Sequence, residues 1–234
     1  MTARRYFFLF SFLALASASC DNGPIFLLKN EGTITYDVSF PYEENTLMLE
    51  LYPKEMTFDF NKHYMRSSIR SAWGVMTTDL IIDNQQRKYS QLLKSFSDKY
   101  YMTLDENSIG EWLAYQPEIR IEKTEDTLTI AGYLCKKSIA RFSNDSLPAI
   151  ELFYTNDIRI DESNWWNQFA GVEGFLLGYE LEQYGKRMRL RAREVRFQPV
   201  APEQFVVPAD YIPLDARTMK SQIEKVVDEF MSNE

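Results

Sequence analysis

The chain has 234 residues, of which 45% are hydrophobic, 15% aromatic and 26% charged, with nine glycines and nine prolines. These proportions describe an ordinary globular protein and exclude a disordered or collagen-like chain. The formal net charge of −8 argues against a nucleic-acid partner, because such binding depends on neutralising phosphates. The single histidine, His63, excludes metal sites that are built from several histidines.

The amino terminus has the pattern of a secretory signal. Arg4 and Arg5 form a basic segment, an apolar run occupies residues 6–15, and small residues at 16–19 precede Cys20. The apolar run is too short for a transmembrane helix, which needs about 20 residues. The pattern therefore predicts an exported protein.

Cys20 resembles the lipobox cysteine of bacterial lipoproteins, in which the signal is cleaved before the cysteine and the cysteine is acylated. The resemblance implies that residues 1–19 are removed and that residues 20–31 form the lipidated cysteine and a short tether. A plain signal peptide with an incidental Cys20 is the alternative. Multiple acyl chains give stable membrane attachment. We therefore expect an envelope protein anchored to the outer membrane, facing the periplasm or the cell surface.

Alternation of apolar and polar residues, which is typical of β-strands, dominates the rest of the chain. The pattern predicts strands over residues 33–40, 55–61, 63–71, 80–82, 88–94, 99–104, 118–123, 127–131, 133–142, 149–155, 175–182, 187–197 and 205–207. Turns rather than crossover-length helices join them, which disfavours a parallel sheet. We expect a mainly β fold, in which one curved antiparallel sheet or half-open barrel has a polar and an apolar face.

Three segments predict helices, which follow Asp105, Asp161 or Ser163, and Asp215 as capping residues. Their apolar residues are Ile109, Trp112 and Leu113 in the first, Trp165, Trp166 and Phe169 in the second, and Met219, Ile223, Val226, Val227 and Phe230 in the third. The third stripe predicts an amphipathic C-terminal helix that packs on its own domain. We expect a single domain over residues 32–234, with the short helices as its lid.

The aromatic residues suggest a binding site. Sixteen Phe, fourteen Tyr and four Trp are more than the core of a sandwich of this size needs. They predict an apolar cavity between the curved sheet and its lid. Its predicted lining consists of Phe58, Phe60, Trp112, Trp165, Trp166, Phe175 and Leu177. A bound acyl chain would gain about 0.8 kcal/mol per buried methylene. The alternative is that these rings fill the core.

Four arginines, at positions 187, 189, 191 and 193, alternate with apolar residues and would share one face of a strand. Arg187, Arg189, Arg191 and Arg193 could dock phosphate head groups or an acidic partner. Alternatively, they pair with acidic residues on neighbouring strands. Cys135 lies in an extended segment and has no disulfide partner once Cys20 is acylated, so we expect it to be a small buried hydrophobic side chain.

Four stretches of sequence resemble the GLPGLI family of exported bacterial proteins: GTITYDVSF, IAGYLCKKSIA, ELFYTNDI and GVEGFLLGYEL. Gly171 and Gly174 match the glycines of the name-giving motif, while Val172 and Glu173 depart from its Leu-Pro. We expect the two glycines to form a tight turn with positive φ before a strand. The resemblance implies an exported β-rich domain of unknown biochemical role. The layout also looks like the LolA/LolB lipoprotein carriers, in which a half-open barrel and a helical lid hold acyl chains.

Recognisable catalytic motifs are missing from the sequence, which has no phosphate-binding glycine loop, no G-x-S-x-G elbow and no cysteine pair for a metal. We therefore expect a protein without enzymatic activity, cofactor or metal. The leading hypothesis is a lipid-anchored envelope protein that binds lipid or lipoprotein acyl chains in an apolar cavity. The alternative is a structural or assembly lipoprotein that acts through contacts with an envelope protein, and an envelope hydrolase is a remote third.

Overall fold

The computed structural model describes residues 30–71, 74–114, 116–144, 147–183 and 186–232. Their strands are β1 Gly32–Ser39, β2 Glu55–Phe60, β3 Tyr64–Arg70, β4 Met76–Asp83, β5 Lys88–Ser95, β6 Asp98–Asp105, β7 Ile119–Ile130, β8 Tyr133–Phe142, β9 Ile150–Thr155, β10 Phe175–Gln183, β11 Lys186–Arg196 and β12 Ile212–Pro213. The helices of the same residues are α1 Thr46–Leu51, α2 Glu106–Ala114, α3 Ala216–Ser232 and a 3₁₀-helix at Pro202–Phe205. The predicted signal, Cys20 and most of the predicted tether lie outside the described residues.

All twelve strands belong to one sheet, in the order β12-β6-β5-β4-β3-β2-β1-β11-β10-β9-β8-β7. Neighbouring strands are antiparallel except for the short β12, which pairs with β6 in parallel. The sheet is curved and does not close, so β7 and β12 are its terminal strands. The expectation of a mainly β fold with one curved, unclosed antiparallel sheet, a few short helices and a C-terminal helix is therefore confirmed.

The core forms on the face that the alternating pattern predicts. Ile34, Tyr36 and Val38 of β1 are at most 6% exposed, and Ile34 and Tyr36 pair directly with Phe58 and Met56 of β2. Because a directly paired residue points to the same side of a sheet, the two strands place their apolar side chains together. Ile109 of α2 is buried in the same cluster.

The end of the chain covers both sides of β5. Leu92 and Leu93 are adjacent in the strand and therefore point to opposite faces. Phe205 packs on Leu92, whereas Met219 of α3 packs on Leu93. Helix α3 is amphipathic, as predicted, and the carboxylate of Asp215 caps it by accepting a 2.9 Å hydrogen bond from the Thr218 amide.

Several predicted elements differ from the structure. Residues 118–123 and 127–131 were expected as two strands, but they form one strand, β7, with an irregularity in its register between Lys123 and Thr127. Residues 205–207 were expected to be extended, but Phe205 ends the 3₁₀-helix, which Pro202 initiates. Residues 161–171 form turns without a regular helix. Neither α1 nor β12 was anticipated from the sequence.

Within the described residues, no helix combines the length and apolar character needed to cross a bilayer.

Candidate functional site

Four of the predicted cavity residues come together in the core. Phe58, Phe60, Phe175 and Leu177 are at most 6% exposed. The ring of Phe175 lies 5.2 Å from that of Phe58 and 6.2 Å from that of Phe60, measured between centroids. These distances are typical of aromatic rings in contact. The structure therefore places these side chains against one another.

The predicted lid residues occupy different positions. Trp165 and Trp166 are partly buried against the core, and the Trp165 indole donates a 2.8 Å hydrogen bond to Asn84 Oδ1. The Arg87 guanidinium lies 5.1 Å from the centre of the Trp165 ring, within the range of a cation–π contact. Trp112, in α2, is more exposed than these two tryptophans, since 47% of its surface is accessible to solvent.

The four arginines of β11 share one exposed face, as the sequence predicts, and Met188, Leu190 and Ala192 are buried on the other. Three of them pair with acids on neighbouring strands. Arg187 and Arg189 both contact Glu180 on β10, at 2.8 and 2.7 Å. Arg193 contacts two acidic residues, Asp37 on β1 and Glu55 on β2, each at 2.6 Å. Arg191 makes no ion pair with a described residue.

Two adjoining pockets open where β1 ends, and we call them together the rim groove. The first has a volume of about 360 Å³ and is lined by Val38, Ser39, Phe40, Pro41, Leu49 and Lys54. The second has a volume of about 370 Å³ and is lined by Phe40, Tyr42, Glu43, Leu147, Pro148, Glu182, Lys186 and Arg187. Both pockets share Phe40, so they lie side by side. Their volumes fall in the range typical of small-molecule sites, about 300–1,000 Å³.

A hydrogen-bonded network around Glu43 forms the polar wall of the rim groove. Lys186 Nζ donates a 2.7 Å hydrogen bond to Glu43 Oε2, and the Asn45 amide donates one of 3.1 Å to Oε1. The Lys186 hydrogen bond, followed by that of Asn45, lowers the pKa of Glu43. The same Lys186–Glu43 contact raises the pKa of Lys186. Both groups are therefore charged at neutral pH.

Arg187 is the one residue of the predicted arginine face that also lines the rim groove. Its Nη2 donates hydrogen bonds to the carbonyl oxygens of Pro148 and Ala149, at 3.1 and 3.3 Å. Its guanidinium also lies 5.3 Å from the centre of the Tyr42 ring. Arg187 therefore holds together the segments that carry Pro148 and Tyr42, which form two walls of the second pocket.

The rest of the rim groove was not predicted from the sequence. Its residues come from the end of β1 and the segment after it, from α1 and the segment before β2, from the segment before β9, and from the adjoining ends of β10 and β11, which are far apart in sequence. The available signal was the Phe40-Pro41-Tyr42 triplet, which places two aromatic residues at the end of a strand. Tyr42 is 58% exposed and Leu147 is 37% exposed, so the groove presents apolar surface to solvent.

Cys135 is fully buried and has no disulfide. Desolvation by burial raises the pKa of its thiol to about 11. A neutral buried thiol is a weak nucleophile, because the thiolate is the reactive form.

The glycines of the GVEG stretch have a different role from the expected one. Neither Gly171 nor Gly174 has positive φ. At Gly174, an added Cβ would lie 2.6 Å from Asn156 Oδ1 and 2.9 Å from the Thr155 carbonyl oxygen. The absence of a side chain therefore allows the backbone to approach the end of β9 closely, just before β10 begins.

Comparisons with known proteins give structural likenesses only. No family model matches the sequence, and no curated protein matches it. Among solved structures, the chain is similar to PNGF-II, with a TM-score of 0.53 and 19% identity over 84% of this chain and 33% of that one. This chain thus spans about a third of the PNGF-II chain that it matches. At this identity, the likeness shows a shared fold.

Two further solved structures are more distant. MucB matches with a TM-score of 0.33 and 9% identity, over 79% of this chain and 59% of that one. A β-barrel-like protein of the domain of unknown function DUF1849 from Brucella abortus matches with a TM-score of 0.33 and 10% identity, over 73% of this chain and 98% of that one.

Proposed function

We propose that this chain is a lipid-anchored protein of the cell envelope that binds an apolar group in the rim groove without catalysing a reaction. The observation that carries the proposal is the first pocket, which opens at the surface, is walled by Val38, Phe40 and Leu49, and lies beside a fixed ion pair. An open apolar pocket with a few oriented polar groups is a common form of ligand site. The apolar group that we propose is an acyl chain of a lipid or lipoprotein.

The rim groove is a better place for an acyl chain than the predicted interior cavity. Phe58, Phe60 and Phe175 already contact one another, so a ligand between them would have to displace packed rings. Displacing core side chains costs several kcal/mol, about as much as is lost when one is deleted. Binding in the rim groove needs no such displacement. Acyl chains that enter the first pocket would still gain about 0.8 kcal/mol per buried methylene.

The proposed location and family depend on sequence features. The amino-terminal pattern supports export, acylation of Cys20 and anchoring of the protein in the outer membrane. The four matching stretches support a divergent member of the GLPGLI family, with a layout like that of the LolA/LolB carriers. The motif glycine at position 174 has a structural reason in this chain, because an added Cβ would lie 2.9 Å from the Thr155 carbonyl oxygen.

An assembly role is the second candidate, in which the apolar group belongs to a protein partner. Exposure of Tyr42 and Leu147 on the rim groove favours it, since aromatic and aliphatic anchors dominate protein interfaces. Strand β1 runs from Gly32 at the tether to Ser39 at the groove. Eight residues of strand span about 26 Å, so the groove lies at the end of the sheet remote from the tether. A partner in the aqueous space could therefore reach it.

Native mass spectrometry of the full chain, extracted from envelopes in mild detergent, tests the proposal. We expect a stoichiometric lipid adduct that organic solvent releases. Leu49→Trp enlarges an apolar side chain that lines the first pocket, and it should remove the adduct while the circular dichroism spectrum is unchanged. Ser221→Trp, on the exposed side of α3, is the matched control and should retain it.

The outcomes separate the two candidates. Loss of the adduct in Leu49→Trp alone supports lipid binding in the rim groove. An adduct that survives Leu49→Trp contradicts that site. A clean apo mass after incubation with envelope lipids contradicts lipid binding, and cross-linking from Tyr42 in intact envelopes would then test for a protein neighbour.

A further inference from the structure

The two ends of the sheet differ in how they are protected. Strand β12 is only two residues long and contains Pro213, which has no amide hydrogen to offer another strand. Strand β7, at the other end, is twelve residues long and pairs on one side only, with β8. A long edge strand presents unpaired backbone donors and acceptors that can accept a further strand. One edge of the sheet is therefore protected where β12 lies on β6, and the β7 edge is open.

The first half of β7 is the regular part of this open edge. Ile119 to Lys123 pair continuously with β8, and the irregularity in the register begins only after Lys123. In the part of the chain that the structure describes, no hydrogen bond reaches the backbone of residues 119–123 from any segment other than β8. These five residues are therefore free to pair on their outer side.

Charges on the exposed face of this segment are incompletely matched within one copy. Arg120 lies directly opposite Arg141 of β8, so two like charges face each other across the strands. Arg120 makes no ion pair with a described residue. Glu122 does have a partner, since Arg141 Nε lies 2.9 Å from its Oε2. Its Oε1 accepts no hydrogen bond from the described residues, so one carboxylate oxygen remains for a second cation.

We propose that β7 pairs antiparallel with β7 of a second copy of this chain, about a two-fold axis that passes through Ile121. Antiparallel pairing about this axis places Arg120 opposite Glu122 of the second copy, and Glu122 opposite its Arg120. Opposite charges in directly paired positions stabilise a sheet, and like charges destabilise it. An axis through Arg120 or Glu122 would instead place that residue opposite its own copy, and an axis through Ile119 or Lys123 would leave Glu122 without an opposite charge. The charge pattern therefore selects one register.

The other face of the segment also fits a second copy. Ile119 and Ile121 are only partly buried and pack against the cluster that contains Phe169 and Val172. In the proposed register Ile121 meets its own copy at the axis, and Ile119 lies beside the aliphatic stem of Lys123. Pairing would cover the remaining apolar surface of both isoleucines, which favours association.

Five paired residues make a small interface. Stable dimers bury roughly 1,200–2,000 Å² in total, and a short strand pair covers less than that. We therefore expect a reversible dimer that forms at high protein concentration. This inference is independent of the proposed ligand, because the rim groove lies on β1, β10 and β11 and not on β7.

Sedimentation velocity of the full chain in mild detergent, over a concentration series, tests the proposal. Arg120→Glu and Glu122→Arg each place like charges opposite one another, so each alone should weaken the dimer by about tenfold or more. An equimolar mixture of the two variants should restore it, because every cross-strand pair is then of opposite sign. Arg159→Glu, a matched charge reversal at an exposed residue outside the sheet, should leave the dimer unchanged.

A second measurement reads the register directly. Directly opposite residues of an antiparallel pair have Cα atoms about 4.5–5.5 Å apart, within reach of a disulfide. Mixed Arg120→Cys and Glu122→Cys chains should therefore form a heterodimeric disulfide on mild oxidation, in preference to either homodimer. A wild-type chain that is monomeric at every concentration overturns the proposal. So does a dimer that neither charge reversal weakens, or a mixture that fails to restore it.

Discussion

Tyr36, in the middle of β1, makes the most specific buried polar contact of the core. Its hydroxyl donates a 2.7 Å hydrogen bond to the Leu176 carbonyl oxygen, and the side chain is 1% exposed. Leu176 pairs with Tyr154 of β9, and the register between β9 and β10 shifts directly after it, between Leu176 and Gly178. The Tyr36 hydroxyl therefore supplies a donor to a carbonyl at the irregular point of the sheet.

Tyr36→Phe removes that donor and leaves the ring contacts with Phe58 and Tyr179 in place. A buried acceptor that loses its partner costs about 1–3 kcal/mol of unfolding free energy. For a chain of this size, each kcal/mol corresponds to about 2–4 °C, so the melting temperature should fall by about 2–12 °C. The urea m-value should stay the same, because the exposed surface on unfolding is unchanged.

The pH dependence of this effect has a defined sign. Burial, followed by the nearby Tyr179, raises the pKa of Tyr36 well above its ordinary value. A raised pKa in the folded state means that the unfolded chain releases this proton first, so the stability of the wild type falls as pH rises above about 10. Phenylalanine cannot ionise. The difference between the wild type and Tyr36→Phe should therefore be constant below pH 9 and shrink at higher pH.

Urea denaturation followed by circular dichroism measures the effect, at pH 7 and at pH 10.5. Tyr42→Phe is the matched control, because Tyr42 is 58% exposed and its loss of a hydroxyl should change stability by less than about 0.5 kcal/mol. If Tyr36→Phe is also within about 0.5 kcal/mol of the wild type at pH 7, the Leu176 carbonyl does not depend on this hydrogen bond.

Three further predictions concern single residues. Phe96 has a φ of 51° and is 74% exposed, so Phe96→Gly should raise the unfolding free energy by about 0.5–1 kcal/mol, and a loss of stability would contradict a strained turn. Gly174→Ala should lower it by about 1–3 kcal/mol because the new Cβ would lie 2.9 Å from the Thr155 carbonyl oxygen, a backbone atom that cannot move aside easily. Gly110→Ala, in open space on α2, should raise it by about 0.5–1 kcal/mol. Cys135 should resist iodoacetamide at pH 8 until the chain unfolds, since its pKa is about 11, and rapid labelling of the folded chain would refute its burial.

Local sequence was sufficient for most of the sheet. The alternation at Ile34, Tyr36 and Val38 predicted both the strand and its buried face, because successive side chains of a strand point to opposite sides. The starts of two helices could also be predicted from local sequence, because the carboxylates of Asp105 and Asp215 cap α2 and α3. At residues 118–131 the same pattern wrongly predicted two strands. The alternation is interrupted there, but a single strand continues through the interruption with an irregularity in its register.

The candidate site could be predicted only in part. The alternation of β11 showed that its arginines share a face, but their partners, such as Glu180 and Asp37, depend on which strands become neighbours. The aromatic surplus predicted an apolar interior, yet the distances between Phe58, Phe60 and Phe175 depend on how far the sheet curves. Composition records how many rings the chain has, and packing decides how much space they leave.

By itself, therefore, the sequence determined the strands, their buried faces and the capped helices, since these depend on residues within a few positions of one another. Tertiary structure alone decided the rim groove, where Glu43 meets Lys186 across 143 residues of sequence. It also decided that β7 is an open edge strand, because the strand that lies at the edge of a sheet depends on the pairing order of all twelve strands. Contacts of that separation arise from the closure of long loops, and no local pattern records them.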